Sequence, residues 1–154
     1  FLTKTGVRTF EAAAFIRRNG ADITRIRKMF REDMKNLQAK GQAISDTELY
    51  DNCYAITVCP TEGIESPTIV GAQAANEMLN IKGVKASFVL TPFKDTIYIS
   101  ARAIDEVNVQ IIMERLGGGG HLNVAGAQLK GRTLEEARQL LKVTLKEMTE
   151  GGEI

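Results

Sequence analysis

The 154-residue chain is short of the residues that build metal centres and covalent frameworks. It has one histidine, two cysteines and no CxxC pair. A structural zinc site needs four such ligands at close spacing, so none is expected. No DxD, HExxH or histidine-rich cluster occurs, which excludes a two-metal hydrolytic centre assembled from this chain alone. Cys53 and Cys59 fall within one strand-like segment. Six residues along a straight strand separate them by ~20 Å, too far for a disulfide. Both are expected in the core, and the reducing cytoplasm is the expected compartment. No spacing supports a nucleophilic pair of Cys59 with His121. No apolar run approaches the ~20 residues that cross a bilayer. The longest uncharged stretch, Leu116 to Leu129, holds five glycines and a histidine. Repeats, heptads and low-complexity tracts are absent. Neither an initiator Met nor a signal peptide opens the chain, and Phe1 begins inside structured-looking sequence, which predicts a piece of something longer.

What is present is globular. Hydrophobic residues make up 44% and charged residues 25%, which excludes disorder as the main state. The length suits one domain with a short appendage. The net charge of +1 conceals an asymmetry: residues 1–40 carry ten basic and four acidic residues, and residues 41–154 carry ten and fifteen. The basic segment reads first as a solvated helix face and second as a surface for an acidic partner. The acidic remainder argues against a general nucleic-acid coat.

Thr9 to Arg18 reads as a helix stopped at Gly20. A second helix starts at Asp22 as N-cap, with Ile23, Ile26, Phe30, Met34 and Leu37 at steps of three and four, and Gly41 interrupts it before Asp46. Cys53 to Cys59 reads as a strand stopped by Pro60. Ser66-Pro67 opens a helix to about Leu79. Strands follow at Val84–Leu90 and Thr96–Arg102, joined by a turn at Pro92-Phe93-Lys94-Asp95. A helix from about Asp105 to Leu116 runs into four glycines. Gly126–Lys130 reads as a short edge strand. Thr133 and Glu136 form a capping box for the last helix, whose stripe is Leu134, Ala137, Leu141, Leu145 and Met148. The fold class is therefore α/β (α+β): a mixed sheet of about four or five strands flanked by helices and preceded by a helical lead-in over residues 1–48.

The chemistry concentrates in Gly117-Gly118-Gly119-Gly120-His121. Consecutive glycines cost backbone entropy but let a backbone approach a ligand and aim N–H groups at phosphate oxygens. The histidine adds a group that hydrogen-bonds phosphate or moves a proton. A flexible turn is the competing reading of the glycines. The histidine, the small residues after it and the helix before it favour the anion-binding one. No GK[ST] follows, so this is not a Walker loop. Ser100-Ala101-Arg102 ends a strand, and Arg is suited to phosphate. Alone it reads as a surface residue, unless the sheet sets it beside the glycine run.

Gly118-Gly119-Gly120-His121, Ala125-Gly126-Ala127 and Ser100-Ala101-Arg102 resemble the DHHA1 domain of DHH-family phosphoesterases. Thr5-Gly6-Val7-Arg8-Thr9-Phe10-Glu11-Ala12-Ala13 resembles the segment closing the DHH domain in the cyclic-di-AMP-degrading branch, whose members are membrane-anchored PAS/degenerate-GGDEF/DHH–DHHA1 proteins. The resemblance covers essentially the whole chain. It implies residues 1–20 as the end of DHH, 21–48 as linker and 49–150 as the DHHA1 substrate-binding domain. It implies that a DHH domain of the same chain holds two Mn²⁺ ions, that a metal-bound hydroxide attacks the phosphodiester, and that the product is pApA. Gly118, Gly119, Gly120 and His121 would then contact substrate, Arg102 a phosphate, with Ser100, Ala125 and Gly126 completing the substrate-binding set. No residue here is expected to be catalytic or metal-binding, and the fragment alone is expected to be inactive. The implied partners are a cyclic dinucleotide or short oligonucleotide, the DHH domain and, left open, a second copy in a homodimer. No membrane contact by this segment is expected, the anchor lying upstream. Ala103 stands where many relatives have serine, and Val124 where many have alanine. The rival readings are a nanoRNase or RecJ-like exonuclease, which shares the GGGH motif, and a non-catalytic nucleic-acid module like the alanyl-tRNA synthetase C-terminal domain, which lacks the histidine.

Overall fold

The computed structural model describes residues 5–104 and 107–154. The chain divides into two compact units, residues 1–33 and 34–154. The first contains α1 (Val7–Arg18) and α2 (Ile23–Met29). Gly20 adopts φ 93° just beyond α1, the left-handed stop that glycine takes without strain. The Asp22 carboxylate accepts from the Thr24 and Arg25 N–H groups at 2.9 and 3.3 Å, capping α2. Neither helix has a buried residue.

The helix expected from Asp22 through Leu37 is in fact two. Phe30 leaves helical geometry at φ −96°, ψ 16°, and α3 (Met34–Ser45) restarts after Glu32-Asp33. Aspartate competes for its own backbone and is a poor helix-interior residue, so the break falls there. Gly41 does not interrupt α3. A helix-interior glycine costs about 1 kcal/mol, and burial of Ala39 and Ala43 on either side offsets it.

The second unit holds β1 (Glu48–Tyr50), β2 (Tyr54–Val58), α4 (Pro67–Met78), β3 (Ala86–Phe93), β4 (Thr96–Ala103), α5 (Val109–Arg115), β5 (Gly119–His121), β6 (Val124–Lys130) and α6 (Leu134–Glu150), with α3 packed against it. The six strands form one sheet in the order β1-β2-β3-β4-β6-β5. Only β2 and β3 run parallel, joined by α4; the other pairs are antiparallel. The expected mixed α/β class holds, with two more short strands, β1 and β5, than the sequence revealed.

Several local expectations are corrected. β6 is not an edge strand: it begins at Val124 and lies between β4 and β5, which takes the edge. Pro92 and Phe93 belong to β3, and the hairpin turn is Lys94-Asp95 alone, with Lys94 at φ 55°. Pro67 starts α4 as expected, but the Ser66 side chain makes no capping bond. Asp105, expected to begin α5, lies outside the described residues. The helix itself starts at Val109, where Asn108 Oδ1 accepts from the Gln110 N–H at 3.1 Å. The capping box of α6 is present: Thr133 N–H donates to the Glu136 carboxylate at 2.8 Å, and Glu136 N–H to Thr133 Oγ1 at 3.2 Å.

Strand side chains alternate between faces. One face, with Ile56, Phe88, Leu90, Ile99 and Ala101, packs on Ile112 and Met113 of α5 and Leu141, Leu145 and Met148 of α6. The other, with Ala55 and Val89, packs on Val70, Ala74 and Met78 of α4 and on α3. Polar side chains on this second face are tied down. Ser87 Oγ donates to the Ala75 carbonyl and Thr57 Oγ1 to the Ala43 carbonyl, each at 2.6 Å. Small residues let α4 lie close. A Cβ on Gly71 would collide with Thr91 Oγ1.

Candidate functional site

The α4 helix packs on β3 and on part of β4 and leaves the same face of β6 and β5 more open. On β4 the residues facing the core are Ile97, Ile99, Ala101 and Ala103, all buried. Their neighbours Tyr98, Ser100 and Arg102 therefore point to the α4 side, where each is half-buried. Register extends this face across the sheet. Ser100 pairs with Gly126, and Gly126 with Gly119. Two residues on, Arg102 pairs with Val124, and Val124 with His121. The sheet thus does set Arg102 beside the glycine–histidine run, in the same cross-strand row, two strand spacings or roughly 10 Å apart. Ala125 belongs to the opposite face, buried in the main core. It pairs with Gly120 and supports the site from beneath.

The four glycines have separate reasons. Gly117, at φ 77°, ends α5 in a Schellman arrangement, with Gly117 N–H bonded to the Glu114 carbonyl and Gly118 N–H to that of Met113. A Cβ on Gly118 would collide with the Gly126 carbonyl oxygen and lie 2.6 Å from Ala127 Cα. A Cβ on Gly120 would lie 2.5 Å from Ala125 Cα. At Gly119 a Cβ would meet nothing within 4 Å. The run is therefore not the flexible turn of the competing reading. Its last two glycines and His121 form an edge strand laddered to β6, and Gly119 alone opens toward the exposed face.

A groove of about 570 Å³ lies there, lined by Thr68 of α4, Tyr98 and Ser100 of β4, Gly126 and Gln128 of β6 and the Gly117–Gly119 segment. Arg102 and His121 stand one row beyond its end. Arg102 is oriented from two sides: Nε donates to Asn76 Oδ1 of α4 at 3.0 Å, and Nη1 donates to the Ala101 carbonyl at 2.8 Å. Burial lowers the guanidinium pKa from its ordinary value. His121 is exposed at the edge.

Asn76, Thr68, Tyr98 and Gln128 were not read from the sequence as parts of this site. Tyr98 and Gln128 had a signal, since each lies two residues along a strand from a residue that was. Asn76 and Thr68 had none, because only the packing of α4 brings them there. The cysteines flank β2 as free thiols. Cys59 is buried, which pushes its pKa up to about 11 and removes it as a nucleophile at neutral pH. Among the described residues no group of three or more His, Cys, Asp or Glu is placed to hold a metal ion, so these residues do not fit a manganese site. Among them, too, no helix is long and apolar enough to cross a membrane.

A family model for the DHHA1 domain matches residues 52–147. The chain is 42% identical over 142 residues to the cyclic-di-AMP phosphodiesterase PdeA of Listeria monocytogenes, covering 92% of this chain and 22% of that protein. It is 42% identical over 154 residues to the cyclic-di-AMP phosphodiesterase GdpP of Bacillus subtilis, covering 99% and 23%. The chain thus spans under a quarter of the length of these relatives. An exopolyphosphatase-related protein of Bacteroides fragilis shares the fold, with a TM-score of 0.79 at 24% identity over 94% of this chain and 44% of that one.

Proposed function

The chain belongs to the DHHA1 domain family, and on that premise we propose that it is the substrate-binding part of a longer cyclic-di-AMP phosphodiesterase. The observation that carries the reading is the shared row of Arg102, Val124 and His121 beside the row of Ser100, Gly126 and Gly119. These rows offer a guanidinium, an imidazole and an unobstructed glycine backbone on one open face, a set of donors suited to phosphate oxygens. Arg102 holds a phosphate of the cyclic dinucleotide. His121 meets the phosphate whose charge grows during attack. The Gly119 backbone allows the sugar–phosphate chain to lie against the sheet.

The hydrolytic metal ions belong to a DHH domain elsewhere in the longer protein, of which residues 1–20 are the closing segment and 21–48 the linker. When bound, such ions supply the activated water; this chain's own residues orient the substrate. The segment acts on the cytoplasmic side in a protein anchored by another region. Its partners are the cyclic dinucleotide and the DHH domain.

The test is kinetics on the full-length protein with cyclic-di-AMP and Mn²⁺, following pApA by chromatography. Arg102→Ala and His121→Ala should each lower kcat/KM by roughly 10- to 150-fold, the equivalent of a charged hydrogen bond. The Arg102 loss should fall mainly in KM and the His121 loss mainly in kcat. Bound manganese should stay at the wild-type level in both. Unchanged kinetics would refute the assignment, and loss of metal would move the residues to the metal site.

A further inference from the structure

The groove continues beyond the Ser100–Gly126–Gly119 row, away from Arg102 and His121. The next row along β4 and β6 is Tyr98 paired directly with Gln128. One row along a strand advances about 7 Å, the scale of the separation between a phosphate and the base of the same nucleotide. Tyr98 is half-buried and Gln128 exposed, so the row presents one aromatic and one carboxamide side chain to the groove. The Tyr98 ring is flanked on its own face of the sheet: its centroid lies 6.5 Å from that of Phe93 at a tilt of 52°. Lys94 Nζ caps Phe93 in turn, 5.4 Å from its centroid. Thr68, at the start of α4, forms the facing wall.

We infer that the Tyr98–Gln128 row is a nucleobase subsite with a preference for adenine. The inference rests on the phosphate-binding reading above and extends it to the base. The Tyr98 ring provides a flat face on which a base stacks. The Gln128 carboxamide carries an acceptor beside a donor, which matches the N6 amino group and N7 of adenine. Guanine presents two acceptors at the equivalent edge, O6 and N7, and leaves the Gln128 carbonyl oxygen opposed to one of them. The groove volume of about 570 Å³ falls within the range of small-ligand sites.

The experiment uses the full-length protein and three variants, Tyr98→Ala, Tyr98→Phe and Gln128→Ala. Each is assayed with cyclic-di-AMP, cyclic-di-GMP and the base-free diester bis(p-nitrophenyl) phosphate. Tyr98→Ala should raise KM for cyclic-di-AMP by roughly tenfold or more and affect turnover of the base-free diester by a clearly smaller factor. Tyr98→Phe should retain wild-type KM, because stacking survives loss of the hydroxyl. Gln128→Ala should narrow the preference for the adenine over the guanine dinucleotide by roughly fivefold or more. Equal losses on the base-free diester would make Tyr98 a structural residue and overturn the subsite, as would unchanged KM on the adenine dinucleotide. If the wild type cleaves none of the three, the phosphodiesterase reading fails by itself. Titration of wild type and Tyr98→Ala with adenosine 5′-monophosphate then judges the subsite separately. Weaker binding by the variant supports it, and equal or absent binding overturns it.

Discussion

The two faces of β4 are made from alternate residues of one eight-residue strand, yet they answer to different physics. Ile97, Ile99, Ala101 and Ala103 are sealed between the sheet and the α5–α6 layer, where shape and apolar area decide the outcome. Tyr98, Ser100 and Arg102 face a layer that stops short, because α4 packs on β3 and only partly covers β4. The first face holds the fold together; the second has room for something else. A half-covered sheet thus yields a stable core and an open polar face from the same backbone, with register keeping the two apart.

The sharpest way to break this comparison is to truncate adjacent residues. Ile99→Ala should destabilise the chain by about 2–5 kcal/mol, the cost of a cavity in a close-packed core. Ser100→Ala, one residue along, should change stability by no more than about 0.5 kcal/mol. Urea unfolding of the two variants measures the contrast, and equal destabilisation would contradict the assignment of faces. Arg102→Ala should separate activity from stability, with the loss in kcat/KM described above accompanied by little change in Tm.

The glycines give a smaller and cleaner contrast. Gly120→Ala should cost about 1–3 kcal/mol, because the new methyl presses on Ala125, whereas Gly119→Ala should fold as well as wild type and act only on ligand affinity. Thermal unfolding beside nucleotide titration distinguishes them. Asn76→Ala should raise KM by a few-fold, in line with loss of a hydrogen bond worth about 0.5–1.5 kcal/mol. Manganese content should be unaffected. A change in kcat alone would argue against a role in orienting Arg102.

The smallest effect is electrostatic and belongs to the cap of α6. The Thr133 N–H and hydroxyl hold the Glu136 carboxyl below its ordinary value of 4.5. A folded-state pKa depressed in this way contributes stability above the unfolded value, and the contribution is lost as pH falls through the folded one. Thr133→Ala should raise the Glu136 pKa toward 4.5, read by NMR titration of its carboxyl carbon, and flatten that part of the acid limb of stability.

Much of the molecule was legible in its sequence where local chemistry and tertiary packing agree. The capping box at Thr133 and Glu136, the cap at Asp22 and the stop at Gly20 are local devices. The stripe of Leu141, Leu145 and Met148 follows helical period, and all three residues are buried. The strand ending in Ser100-Ala101-Arg102 is legible over Thr96–Arg102, and β4 spans Thr96–Ala103. What escaped depends on partners distant in sequence. β1 has three residues and exists because a turn through Asp51 and Asn52, at φ 51° and 56°, folds it onto β2. β5 is a strand despite its composition, since glycine has low strand propensity and only the ladder to β6 makes it one. Asn76 reaches Arg102 across 26 residues of chain. The break at residues 30–33 was hidden by an apolar stripe that runs straight through it.

The glycine edge strand has a consequence for how such a site can diversify. One wall of the groove is almost pure peptide backbone, and at Gly118 a side chain cannot be added without colliding with β6. Point mutation has little to act on there apart from Gly119, where a new side chain would meet nothing within 4 Å. Variation in ligand choice otherwise falls to the floor and the opposite wall, at positions such as 68, 98 and 128, where side chains line the groove. The groove is a fixed jaw facing an adjustable one.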